Sequence, residues 1–176
     1  NRTYGGYLGL NELLALQRDD EGISNDEMHF IVTHQTFELW FKQVIREVRE
    51  IRDILATEHV PEAQIPKAVE HLGRVTEIFR LLANQWKVME TLTPQGFLAF
   101  RDGLGTASGF ESYQMREMEI LLGLEHTGRV SEMDPLAHFR KLASRSKADA
   151  VALARLEDTL KETTVVSALT TWLSRT

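Results

Sequence analysis

The sequence predicts an all-α fold, a helical bundle with long antiparallel helices, and three observations carry that prediction. Only 4 of the 176 residues are proline. No stretch alternates apolar and polar residues with the period of a strand. Apolar residues recur instead every three or four positions nearly throughout, the spacing that lines them up along one side of a helix. With no internal repeat and no low-complexity linker, the chain reads as a single all-helical domain, residues 1–176, with residues 1–10 as an N-terminal arm.

The elements follow in order. In the arm, Tyr4 and Tyr7 stand beside the flexible pair Gly5-Gly6. These aromatics either dock onto another surface or cover the chain's own core. A short helix is expected over residues 11–17. The second helix opens at Ser24-Asn25-Asp26-Glu27, where a Ser followed three residues later by Glu can satisfy two orphan backbone donors. It runs to about residue 57, which makes it about 45 Å long. In the third helix Ile65, Ala68, Leu72, Val75, Phe79, Leu82, Trp86 and Met89 step by threes and fours. Such a seam asks for a long antiparallel partner at a shallow crossing angle. Thr93-Pro94 supplies an N-cap and a proline at the first helical position, and the short helix it starts ends in the glycine-rich loop 103–109. A fifth helix is expected over 110–122, stopping at Gly123. Asp134-Pro135 begins another, and amphipathic segments follow at 148–161 and 165–173.

Composition narrows the function classes. Lys and Arg total 20 against 26 Asp and Glu, a formal net charge of -6, the wrong balance for general nucleic-acid binding. The chain has no cysteine, which excludes disulfides, thiolate metal sites and thiol nucleophiles. That composition is compatible with an intracellular protein, and a cytoplasmic location is the expectation. No apolar run approaches the roughly 20 residues of a membrane-spanning helix, and no membrane partner is expected. The start lacks an initiator Met and a signal-peptide pattern, and the end follows an apparent helix. The chain is therefore expected to be part of a longer one.

Candidate chemistry gathers on two segments. On the second helix Phe30, His34, Phe37, Phe41 and Val48 fall within one narrow arc at about 100° per residue. Ile31, Val32 and Leu39 fall on another side, so this helix is expected to be sandwiched. Burial among phenylalanines favours a neutral His34, which offers one donor and one acceptor. It is either a core histidine satisfied by a backbone carbonyl or a polarity-specific contact for a flat aromatic ligand. Glu38, one turn on, can orient His34 or pair with Lys42 at i, i+4. Arg101 precedes the glycine-rich loop, and its guanidinium fork matches a carboxylate. It either grips a ligand or pairs with Asp102 or a nearby Glu. Loop amides near Ser108 and Gly109 can add anion-binding donors where the fifth helix begins. The six histidines, His29, His34, His59, His71, His126 and His138, form no His-Glu-x-x-His and none follows a Glu by three residues, so a di-iron carboxylate bundle is unsupported. A haem needs one axial histidine and leaves no local signature.

Several of these blocks resemble one family. Thr3-Tyr4-Gly5-Gly6-Tyr7-Leu8 resembles the N-terminal signature of tryptophan 2,3-dioxygenases, and residues 30–42, Phe30 to Lys42 through Thr33-His34-Gln35, are similar to their active-site helix. Glu90-Thr91-Leu92-Thr93-Pro94 with Phe97-Leu98-Ala99-Phe100-Arg101-Asp102, then Ala107-Ser108-Gly109-Phe110-Glu111-Ser112, continue in the family's order. The resemblance is strongest over residues 4–123, and Ala168-Leu169-Thr170-Thr171-Trp172-Leu173 looks like a further helix of the family.

What the resemblance implies is a helical homotetramer with haem b, whose iron binds O2, and cleavage of the indole C2–C3 bond of L-tryptophan to N-formyl-L-kynurenine, the first step of tryptophan catabolism. By matched position His34 is the distal histidine contacting the indole N–H, Phe30 walls the indole, and Arg101 grips the substrate carboxylate. Phe97 stands where the family carries Phe or Tyr. Ala107, Ser108 and Gly109 lie over the haem edge, and Tyr4, Tyr7 and Leu8 come from a neighbouring subunit to close its pocket. The chain departs from the family in length. The proximal haem histidine falls outside it, and neither His126 nor His138 sits in a matching motif, so no axial ligand is assigned. Two other readings stand beside this one: a related haem oxygenase with another aromatic substrate, and a non-catalytic, haem-less helical assembly module.

Overall fold

The computed structural model describes residues 3–124 and 135–175. Among the described residues every regular element is helical. They are α1 (Tyr4–Leu8), α2 (Leu10–Leu13), α3 (Asn25–Leu55), α4 (Ile65–Met89), α5 (Pro94–Phe100), α6 (Tyr113–Leu122), α7 (Pro135–Leu142), α8 (Lys147–Thr159) and α9 (Val165–Leu173). Short 3-10 turns at Asp19–Glu21, Glu62–Gln64, Arg101–Leu104 and Gly109–Glu111 join them. The all-α expectation holds. No helix among the described residues is long and apolar enough to cross a membrane.

Local side chains set most of the boundaries. Ser24 Oγ accepts from Glu27 N, the first half of the expected capping box. Thr93 caps α5 through Gly96 N, with Pro94 in the first turn. α9 matches its predicted span, capped by Thr164. Gly123 ends α6 in the left-handed region, φ 82, and a Cβ there would press into Thr164 at the head of α9. Two predictions shift, and a third falls partly outside the described residues. Gly5-Gly6 is inside a helix rather than a flexible link, because Thr3 caps α1 and Gly9 closes it with φ 61. The helix expected from residue 110 starts at Tyr113, because Ser112 caps it through Met115 N and residues 109–111 form a 3-10 turn. The start expected at Asp134-Pro135 falls partly outside the described residues, with α7 described from Pro135.

The chain divides into two compact units: Asn1–Phe37 with Leu82–Ala107, and Glu38–Leu81 with Ser108–Thr176. The second holds most of the buried apolar side chains, among them Val44, Ile45, Val48, Ile51 and Leu55 of α3, Ala68, Val75 and Ile78 of α4, and Leu121 of α6. Leu136, Phe139 and Leu142 of α7 pack with Leu156 of α8, and Ala168 of α9 packs on Ile51 and Leu55. Its buried charges are paired. Glu117, fully buried, receives Arg49 at 2.9 Å and has Arg155 Nε at 2.8 Å from its other oxygen. Arg49 also donates to Glu162, as does Arg52. Buried Glu47 accepts from Gln43, His71 and Arg74.

On α4 the buried positions are Ala68, Val75, Ile78 and Leu82. The expected seam is half right. Ala68, Val75 and Leu82 face inward, while Leu72, Phe79 and Trp86 are exposed and Ile78 takes the inward place of Phe79. A helix apolar on two adjacent rows cannot reveal which row its own chain covers. The sandwiching expected of α3 is likewise incomplete, since Val32 and Leu39 are exposed.

Candidate functional site

Within the unit Asn1–Phe37 with Leu82–Ala107, α3 and α5 bring their aromatic residues together. The α3 helix supplies Phe30 and His34 one turn apart, with ring centroids 4.0 Å from each other. Facing them, α5 supplies Phe97 and Phe100, again one turn apart and packed edge to face at 5.4 Å. The two pairs interlock, Phe30 lying 5.9 Å from Phe97 and 5.5 Å from Phe100. Aromatic pairs at these separations prefer tilted and edge-on geometries. Phe100 is buried beneath the cluster, whereas Phe30, His34 and Phe97 are half-buried and retain open surface.

The polarity of His34 is set by its own helix. Nδ1 stands 2.7 Å from the Phe30 carbonyl oxygen. A carbonyl can only accept, so Nδ1 carries the proton, and in the neutral ring Nε2 is left as a bare acceptor. One of the two readings of His34 was a ring satisfied by a backbone carbonyl. That bond is present, yet it satisfies one nitrogen and fixes the role of the other. Glu38 plays neither of its expected parts: its carboxylate accepts from Gln114 Nε2 of α6 at 2.8 Å.

Arg101 follows α5 directly. Its guanidinium carbon lies 5.6 Å from the centre of the Phe97 ring, within cation-π range. It pairs neither with Asp102 nor with any Glu among the described residues, and it is exposed. The cluster thus joins an imidazole acceptor, a wall of phenyl rings and an unneutralised guanidinium in one unit. Such a set can receive a ligand that is flat and apolar with a single N–H donor and carries a carboxylate.

The α3–α4 side of this unit is fixed by Gln85, whose amide donates to the Thr33 carbonyl at 2.9 Å and to Thr36 Oγ1. Phe37 meets Trp86 in a tilted ring contact at 5.3 Å. Tyr4, Tyr7 and Leu8 lie on α1, which buries none of its residues. Tyr4 is 77% and Tyr7 69% exposed, so the arm does not cover its own chain's core.

The glycine-rich loop is closed by its own turns. Ala107 N donates to Leu104 O in the first unit. In the second, Ser108 Oγ accepts from Phe110 N, and its carbonyl accepts from Glu111 N. The amides of Ala107, Phe110 and Glu111 are thus spent within these turns, and the α-helix begins at Tyr113. Sequence reasoning passed over Phe100 as an individual; its signal was the three-residue step from Phe97. It also missed Gln85, which no local pattern marks.

A family model described as tryptophan 2,3-dioxygenase matches residues 1–176. A tryptophan 2,3-dioxygenase of Anopheles gambiae is 38% identical over 177 residues, covering 98% of this chain and 44% of that protein. One of Sorangium cellulosum is 39% identical over 179 residues, covering 99% and 43%. A tryptophan 2,3-dioxygenase 2 of Ralstonia nicotianae is 46% identical over 133 residues, covering 73% and 36%. The chain thus spans less than half the length of these relatives.

Proposed function

The chain belongs to the tryptophan 2,3-dioxygenase family, and from that premise we propose that it forms the substrate-recognition part of an enzyme cleaving the indole C2–C3 bond of L-tryptophan with O2, giving N-formyl-L-kynurenine. The observation that carries this reading is the shared cluster of Phe30, His34, Phe97 and Arg101 in one compact unit. His34 Nε2 accepts the indole N–H and so sets which edge of the ring faces the oxidant. Phe30 stacks along the indole and excludes water. Arg101 takes the carboxylate through two parallel N–H bonds. Phe97, with no hydroxyl, contributes through its ring face, which holds the guanidinium before substrate arrives and lowers the ordering cost of binding. Tyr4, Tyr7 and Leu8 close the pocket of a second copy in a homotetramer, a reading supported by their exposure on α1.

The family's cofactor is haem b, which when bound supplies the iron that binds and activates O2. The exposed small residues Ala107, Ser108 and Gly109 suit the edge of a porphyrin. No described imidazole is assigned as axial ligand. The test is turnover of L-tryptophan by the complete protein that carries this chain, after reconstitution with haem. Formylkynurenine should accumulate with consumption of one O2 per tryptophan. A folded, haem-loaded protein that leaves tryptophan unchanged overturns the proposal.

A further inference from the structure

Two side-chain amides tie the root of the arm to the helix that carries His34. Gln17 uses both protons of its amide nitrogen, donating to the Leu13 carbonyl at 3.0 Å and to Gln35 Oε1 at 2.7 Å. Gln35 returns a bond from its own amide nitrogen to the Leu16 carbonyl at 3.0 Å. The two carbonyls belong to the end of α2 and the turn after it, where a four-residue helix leaves acceptors open. Immediately after Gln17 the chain turns through Arg18 in the left-handed region, φ 65, with its guanidinium bound to Glu21. A non-glycine residue holds that conformation only when its surroundings over-determine it.

Outward from this clamp the arm is internally braced. Leu13 N donates to Gly9 O, Gly9 N donates to Gly5 O, and Thr3 Oγ1 accepts from Gly6 N. A change of direction at the clamped end is therefore passed along the braced arm toward Tyr4 and Tyr7. Gln35 directly follows His34 in α3. The turn of helix that presents the indole acceptor of one site is thus also the anchor of the arm.

We propose that Gln17 and Gln35 are positioning residues that aim the arm Tyr4–Leu8 at the pocket of a second copy of the chain. This rests on the reading that the arm closes a neighbour's pocket, and it adds what fixes the arm's direction. Both amides are spent on the clamp itself.

The test uses the complete, haem-loaded oligomer and three changes: deletion of residues 4–8, Gln35→Met and Gln17→Met. Methionine keeps the length and apolar stem of glutamine and removes the amide. Each Met variant should raise the KM for L-tryptophan about five- to tenfold, the effect of losing one or two ordinary hydrogen bonds, while kcat and Tm stay near wild type. Combining the two should cost no more than either alone, because they act as one unit. In protein lacking residues 4–8, both substitutions should be silent. If the deletion itself leaves KM unchanged, the reading of the arm fails and the proposal with it. If the deletion raises KM and the Met variants do not, the proposal alone fails. It also fails if either substitution still raises KM without the arm, for the amide would then act through His34 or the fold. Should Gln35→Met fail to fold, Gln17→Met, which lies off α3, decides alone.

Discussion

In the unit Glu38–Leu81 with Ser108–Thr176, α3 buries Val44, Ile45, Val48, Ile51 and Leu55, whereas in the unit Asn1–Phe37 with Leu82–Ala107 the described residues of the same helix bury Thr33. The first is held by apolar packing and by buried carboxylates, Glu117 meeting Arg49 and Arg155 and Glu47 meeting Arg74 and the His71 ring. The second is held by half-buried rings and amide bonds, and it carries the candidate site. A well-packed core resists change because every methylene has partners. A recognition surface must leave rings and a charge partly open for a ligand to cover. The difference separates where stability resides from where recognition resides, along one continuous helix.

That separation predicts mutational effects of different kinds. The largest is expected at the packed end: Leu156→Ala, at a fully buried position, should lower unfolding stability by about 3 kcal/mol, measured by urea titration. A loss under about 1 kcal/mol would erase the contrast. Next, His34→Ala should cut kcat/KM for tryptophan about a hundredfold, because the indole N–H is left without its acceptor among the phenyl rings, with a stability change near that of a surface substitution. Equal losses of stability at the two positions would show that recognition and packing are not separate. Arg101→Lys should raise KM roughly tenfold, because an ammonium keeps the charge and loses the fork. Since Arg101 is exposed, its Tm should not move.

The smallest effect is acid sensitivity. Burial pushes the Glu47 carboxyl up, but hydrogen bonds from Arg74, His71 and Gln43 outweigh it and hold the group below its ordinary 4.5. The Arg49 hydrogen bond, joined by that from Arg52, lowers Glu162 from the same value. A carboxyl lowered by folding contributes stability that is present above 4.5 and lost as pH falls through its folded value. Unfolding midpoints should therefore decline below about pH 4.5. Glu47→Gln should flatten that decline while leaving tryptophan binding at neutral pH unchanged. An acid limb identical in wild type and variant would remove Glu47 from the account.

Much of this was legible in the sequence because it is local. Helix periods, Thr93-Pro94, Ser24 with Glu27 and the stop at Gly123 depend on neighbours within one turn, and the chain states them directly. The pairs Phe30 with His34 and Phe97 with Arg101 are also one-turn spacings, so each half of the candidate site could be read, and the family resemblance joined them. What the sequence could not state is which of two apolar rows on α4 turns inward, which partner Glu38 takes, and that Gln17 finds Gln35. Those choices depend on groups tens of residues away in the chain. Only packing decides which of several equally suitable partners arrives, because an amide, a carboxylate or an apolar row accepts many partners locally and folding supplies one.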